Sequence, residues 1–345
     1  MITSLGIYEV EKDFAVDSMI SEWRTTTASE SITLPLRDGY TYNFDIDWGD
    51  GSAIQTVTSW NHANATHTYA TAGDYIVLLH GGGTCETWWV NGVAADKDKL
   101  IAIHQMGKMR WRTFHNSFWG CSNLAIFVLG THTLNGLVTF NSMFQDCTSM
   151  DGPNFDFSGF LAVDSDDFTE FWRMFQGCTG MITPPVFDAW NTGNVVNVGH
   201  LFDACSNMTT TPDVTGWDTT RLINTVGMFE KCSSLTVAPD TSGWGIPDLG
   251  NTGNMYFGCT NMTGFQEMHW TPVNSWTTAY GMYEGTAITT AEYDQMLINW
   301  EARTNFLSTM NFDAGTVKYS AGAAATARNV LDTTWGWTIT DGGQA

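Results

Sequence analysis

Between residues 110 and 290 the large apolar positions recur at a fixed distance. The stretches FWGCSNL, FQDCTSM, FQGCTGM, FDACSNM, FEKCSSL and YFGCTNM each place an aromatic residue three positions before a cysteine and Leu or Met three after it. The pairs are Phe118 and Cys121, Phe144 and Cys147, Phe175 and Cys178, Phe202 and Cys205, Phe229 and Cys232, and Tyr256 and Cys259, with the cysteines 26, 31, 27, 27 and 27 residues apart. One interval further on, Thr286 in YEGTAI stands where the next cysteine would be; Trp190, Trp217 and Trp244 keep the 27-residue spacing, and Trp270 follows at 26. Units of this length bury their apolar faces only by stacking on one another. The aromatic residues and cysteines are therefore expected to form a buried ladder of rings and reduced thiols. Within one unit Val195, Val198, Leu201, Phe202 and Cys205 fall three and four apart, which predicts a short helix or tight helical turn. The following TTTPDVTGWDTT cannot continue a helix and predicts an extended return. A repeat solenoid with a short helix plus a strand per coil is the expectation for residues 93–288.

The flanks carry other periods. Residues 25–92 hold SITLPL, YTYNFDIDWGD and THTYATAGDYIVLL, short strand-like runs broken by Asp50-Gly51 and Ala72-Gly73, which predict a small antiparallel β-sandwich. Ahead of it, in an arm of residues 1–24, Val16, Met19, Ile20 and Trp23 fall at i, i+3, i+4 and i+7. That spacing predicts an amphipathic helix, which either lies on the sandwich or docks the protein on a partner. Residues 289–345 are expected to cap the repeats, with Tyr293, Met296, Leu297 and Trp300 on one helix face, Thr290 as its candidate N-cap, a second helix in SAGAAATARNVL and a strand in GWTITDGG.

Charge narrows the partners. The chain has 14 Lys plus Arg against 36 Asp plus Glu, a formal net charge of -22, and no basic stretch, so nucleic acid and anionic membrane surfaces are not expected partners. No run of 18 apolar residues predicts a membrane span, and the first residues do not read as a secretory signal. One thiol per unit fits neither a clustered metal site nor, across strands about 4.8 Å apart, a disulfide. Asp45, Asp47 and Asp50 in DIDWGDG and Asp164, Asp166 and Asp167 in the acidic insertion are weak candidates for a divalent cation, with turn chemistry and a solvated loop as the plainer readings. No phosphate loop, nucleophile elbow or zinc-protease helix is present. Neither an enzyme nor a cofactor is expected.

Three resemblances sharpen these expectations. MFQGCTGMITPPVFDAWNTGNVVNV and its neighbours resemble the BspA-type leucine-rich repeat surface proteins over roughly residues 110–290, with Met often replacing Leu and an insertion in the 31-residue interval. That resemblance implies a leucine-rich-repeat-like fold and a role in adhesion or protein binding. FDIDWGDGS with HTYATAGDYIVLL is similar to the polycystic kidney disease (PKD) domain, which implies a spacer or interaction module. The ending, YDQMLINW and GWTITDGG, looks like the C-terminal caps of repeat proteins encoded by bacteriophages. Together they imply a virion protein present in several copies, a decoration, fibre or tail-associated adhesin, touching other capsid or tail proteins and a host surface protein or glycan. A bacterial cell-surface adhesin, or a carbohydrate-binding module using exposed tryptophans, stays open.

Overall fold

A computed structural model describes residues 17–91, 94–130, 139–157, 169–187, 190, 192–245, 250–264, 278–303 and 309–345. Strand β1, Met19–Thr25, lies inside the largest sheet and pairs antiparallel with β6, Gly73–Leu79, on one side and β8, Leu100–Gln105, on the other. Beyond β6 come β3, Tyr42–Asp47, then β4, Gln55–Val57, with β7, Thr84–Cys85, also on β3. Beyond β8 the pairing turns parallel, to β9, Ile126–Val128, and β10, Phe155–Asp156, so the sheet is eight-stranded and mixed. A second antiparallel pair joins β2, Glu30–Thr33, to β5, Thr66–Tyr69. Tyr69 ties the two sheets together: its hydroxyl donates to the Trp48 carbonyl at 2.9 Å and its ring stacks on Tyr75 at 3.8 Å.

The expected docking helix is a strand. Met19, Ser21, Trp23 and Thr25 are buried, a period of two rather than 3.6. Met19 and Trp23 are four apart and satisfy both periods, while the polar Ser21 conceals the strand. Ser21 is buried because its hydroxyl donates to the Val77 carbonyl (3.3 Å) and accepts from Trp23 Nε1 (2.9 Å). Ile20 is half-buried in the same strand, and Val16 lies outside the described residues.

The expected leucine-rich-repeat-like solenoid of helix and strand does not form either. Among the described residues the α-helices are α1, Thr290–Glu301, and α2, Ala323–Thr333, both beyond the last cysteine, and most regular structure is sheet. The repeats run through tight turns in which bonds close over three residues, as in Leu201 N to Val198 O (3.2 Å), Cys205 N to Phe202 O (3.0 Å) and Met208 N to Cys205 O (3.1 Å). The cause is two left-handed residues per unit, five and one positions before the cysteine. His200 (φ 54) and Ala204 (φ 60) recur as Arg173 and Gly177, Gly227 and Lys231, and Asn254 and Gly258. A helix cannot pass through such residues.

Breaking the helix frees backbone groups, and these bond the next layer. His200, Phe202 and Ala204 donate their N–H groups to the carbonyls of Val226, Met228 and Glu230 at 2.8, 2.9 and 2.7 Å. The same offset joins Phe144 to Met174 (2.8 Å) and Tyr256 to Met282 (3.1 Å). Parallel bridges run alongside, Asn197 to Asn224 to Asn251 to Thr278. They lead into the parallel strands β13, Thr278–Ala279, β14, Asn311–Asp313, and β15, Thr338–Thr340; β11, Thr169–Glu170, pairs with β12, Val195–Asn197, at the other end of the run.

The C-terminal residues cover the last layer. Phe312 of β14 meets Tyr283 edge-on at 6.3 Å and is itself met edge-on by Trp300 of α1 at 4.9 Å. The N-cap of α1 is Thr289, one residue before the expected Thr290, in a capping box with Glu292. Nearby, the Asp341 carboxylate, its side chain only 2% exposed, accepts hydrogen bonds from Arg328 Nε (2.7 Å) and the Tyr293 hydroxyl (2.9 Å).

Phe202 sits between Phe175 (5.5 Å) and Phe229 (5.6 Å), both nearly parallel to it. Phe202→Ala removes both contacts and leaves a cavity, so urea unfolding should show a loss of about 3–5 kcal/mol with the sheet half of the chain unaltered in sequence.

Candidate functional site

The sequence-predicted residues of the repeats come together in the interior. Phe118, Phe144, Phe175, Phe202, Phe229 and Tyr256, followed by Tyr283, stack with centroids 5.4–5.8 Å apart and planes within 19° of parallel. Beside them Cys121, Cys147, Cys178, Cys205, Cys232 and Cys259 are buried and unbridged, as is Cys85 in the sheet. Each thiol from Cys147 onward donates to the carbonyl of the aromatic residue one layer back: Cys147 to Phe118, Cys178 to Phe144, Cys205 to Phe175 and Cys232 to Phe202 at 3.1 Å, and Cys259 to Phe229 at 3.0 Å. A second donor on a buried carbonyl explains why cysteine, rather than alanine or valine, occupies the position. Burial pushes these thiols up, Cys259 to about 12, and makes them poor nucleophiles and poor metal ligands at neutral pH. Thr286 instead turns its hydroxyl onto Tyr283 of its own layer, 2.7 Å away.

The tryptophan row is not an open platform. Trp190, Trp217 and Trp244 are buried, the last two stacked at 6.2 Å; Trp270 lies outside the described residues.

Asp45, Asp47 and Asp50 diverge rather than converge. Asp45 accepts from the Thr56 hydroxyl (2.6 Å), Asp47 from Gly49 N (2.9 Å), and Asp50 from Ser52 N (3.0 Å) while pairing with His67 Nε2 at 2.7 Å. Burial raises the Asp50 carboxyl, but the bonds from Ser52 and His67 outweigh it and hold the group at about 2. Asp164, Asp166 and Asp167 lie outside the described residues.

A different set does converge. His200, Asp203 and Glu230 each offer a ligand atom within 4.8 Å of the others. The turn that bonds Asp203 N to His200 O (3.3 Å) folds the acid back over the histidine, and the equivalent turn from Glu230 N to Gly227 O (3.0 Å) brings in the acid one layer on. His200 Nδ1 is 3.2 Å from Asp203 Oδ2 and 3.8 Å from Glu230 Oε2. Gln176 Nε2 donates to Asp203 Oδ2 and Lys231 Nζ to Glu230 Oε1, both at 2.6 Å. The Trp172 ring meets the imidazole edge-on at 4.9 Å. The available signal was positional: Asp203 and Glu230 are 27 residues apart, the same column of successive repeats.

Residues 138–270 and 169–300 match the family described as "Mycoplasma protein of unknown function, DUF285", so a little under half of the chain is similar to it. No curated protein and no solved structure matches the chain. Among the described residues, no helix is long and apolar enough to cross a membrane.

Two measurements follow from this geometry. A soluble disulfide reagent should label none of the seven cysteines in the native protein within minutes and all seven after unfolding in guanidinium. For Asp50 the folded value lies below the ordinary carboxylate value of about 3.9, so its contribution is fully present above that pH and is lost as the pH falls toward 2. The stability difference between the wild-type protein and Asp50→Asn should accordingly be largest above pH ~5 and shrink steadily between pH ~4 and ~2.

Proposed function

We propose that the protein is a non-enzymatic display scaffold of a bacteriophage particle, a decoration, fibre or tail-associated protein that presents its repeats to a host surface protein or glycan. The observation that carries this reading is the unbroken stack of rings from Phe118 to Tyr283. An interior filled layer by layer with rings and protonated thiols gives chemistry nowhere to converge, whereas the outside offers equivalent positions again in each layer. Exposed apolar side chains on that outside, Ile182, Val186, Ile223, Val237 and Tyr280, are spread over several layers, as a broad contact surface requires. Many weak, equivalent contacts gain strength when several copies are held on one particle. The phage-like ending supports the particle as the place.

A second reading, a bacterial cell-surface adhesin, is favoured by the match of residues 138–300 to a family of Mycoplasma proteins. Antibodies against the purified protein separate the two. Labelling of purified particles at several sites, together with binding of the particles to host cells that the free protein inhibits, is the expected result. Protein found on the envelope of the producing bacterium and absent from particles would overturn the virion reading.

A further inference from the structure

We propose that His200, Asp203 and Glu230 bind one divalent transition-metal ion of the zinc class, which joins two successive layers of the repeats. The three donors are placed by the fold rather than by flexible loops: two sit on one turn, and the third occupies the same column one layer on. Their separations suit such an ion. Four ligands at about 2.0–2.1 Å from zinc lie about 3.3 Å from one another, and the imidazole nitrogen stands 3.2 and 3.8 Å from the two carboxylates.

Two further observations point to a ligand. Asp203 is only 6% exposed, yet its Oδ1 is buried without a hydrogen-bond partner. A buried carboxylate oxygen normally has one. His200 Nδ1 is likewise buried and makes no hydrogen bond, although Asp203 Oδ2 and Glu230 Oε2 lie 3.2 and 3.8 Å away. A buried imidazole nitrogen that makes no hydrogen bond and faces two carboxylate oxygens is placed as a metal ligand is.

The surroundings complete the site. Lys231 holds Glu230 through Oε1, leaving Oε2 toward the imidazole, and Gln176 orients the Asp203 carboxylate by bonding the Oδ2 that faces His200, as outer residues orient metal-binding carboxylates. Gly227 keeps the space open: a Cβ there would lie 2.5 Å from His200 Nδ1 and 3.1 Å from Glu230 Oε2. The donor set selects the ion class, since imidazole disfavours calcium and magnesium and the absence of thiolate among the three donors disfavours copper(I).

Zinc chloride titrated calorimetrically into chelator-treated, desalted full-length protein tests this. The expected result is one equivalent bound, with affinity falling about tenfold or more in Asp203→Asn and in Glu230→Gln. Glu284→Gln alters the same column two layers beyond Glu230, and should bind as the wild type does. Should the first two variants fold poorly, the wild-type protein alone decides: one equivalent of zinc must shift the His200 Nδ1 resonance in a long-range proton–nitrogen spectrum. Absence of stoichiometric binding, binding that both variants retain, or an unmoved Nδ1 resonance would each overturn the proposal.

Discussion

The repeat half of this protein depends on a backbone constraint, the pair of left-handed residues that bracket each aromatic. A non-glycine residue in that region costs about 1–2 kcal/mol, and Arg173, His200, Ala204 and Lys231 all accept it. The return is orientation. With helical bonding broken, N–H and C=O groups point along the stacking direction and bond the layer ahead, four times per layer from Val198 to Ala204 and from Thr225 to Lys231. Rings and thiols then superpose because the backbone beneath them superposes, and the thiol adds one more bond between layers, onto the carbonyl of the ring behind.

This arrangement explains what could and could not be read from the sequence. Spacing alone identifies Phe202 and Cys205 as inward-facing, because a three-residue step points side chains to one side in a helix and in a run of tight turns alike. The same ambiguity produced the expected helix. Glycine at Gly177, Gly227 and Gly258 hints at left-handed backbone, but His200, Arg173 and Ala204 carry no such signature and hide it. In the N-terminal arm, Met19 and Trp23 fit either period, and the decision lies with Ser21, whose burial depends on partners in a strand more than fifty residues away. Capping is local, and the N-cap of the helix at Thr290–Glu301 was accordingly legible to within one residue. The three donors around His200 were not legible residue by residue, since a histidine and two acids mean little until aligned as columns of one repeat.

The mixed sheet and the stacked turns share a junction. β8 pairs antiparallel with β1 and parallel with β9, so one strand converts the alternating pairing of the first hundred residues into the one-directional pairing of the rest. One hydrogen-bonded sheet thus holds strands from both sides of residue 92, with β1 and β6 before it and β8 and β9 after it.

The 31-residue interval between Cys147 and Cys178 has a consequence for how such a chain can change over time. Phe144 N still reaches Met174 O, Phe144 and Phe175 remain within 3° of parallel, and Cys178 still finds the Phe144 carbonyl. Four surplus residues have been absorbed without disturbing the corner. Length variation is therefore accommodated between corners, where the intervals run from 26 to 31 residues, while the seven residues from aromatic to Leu or Met keep their count in all six units.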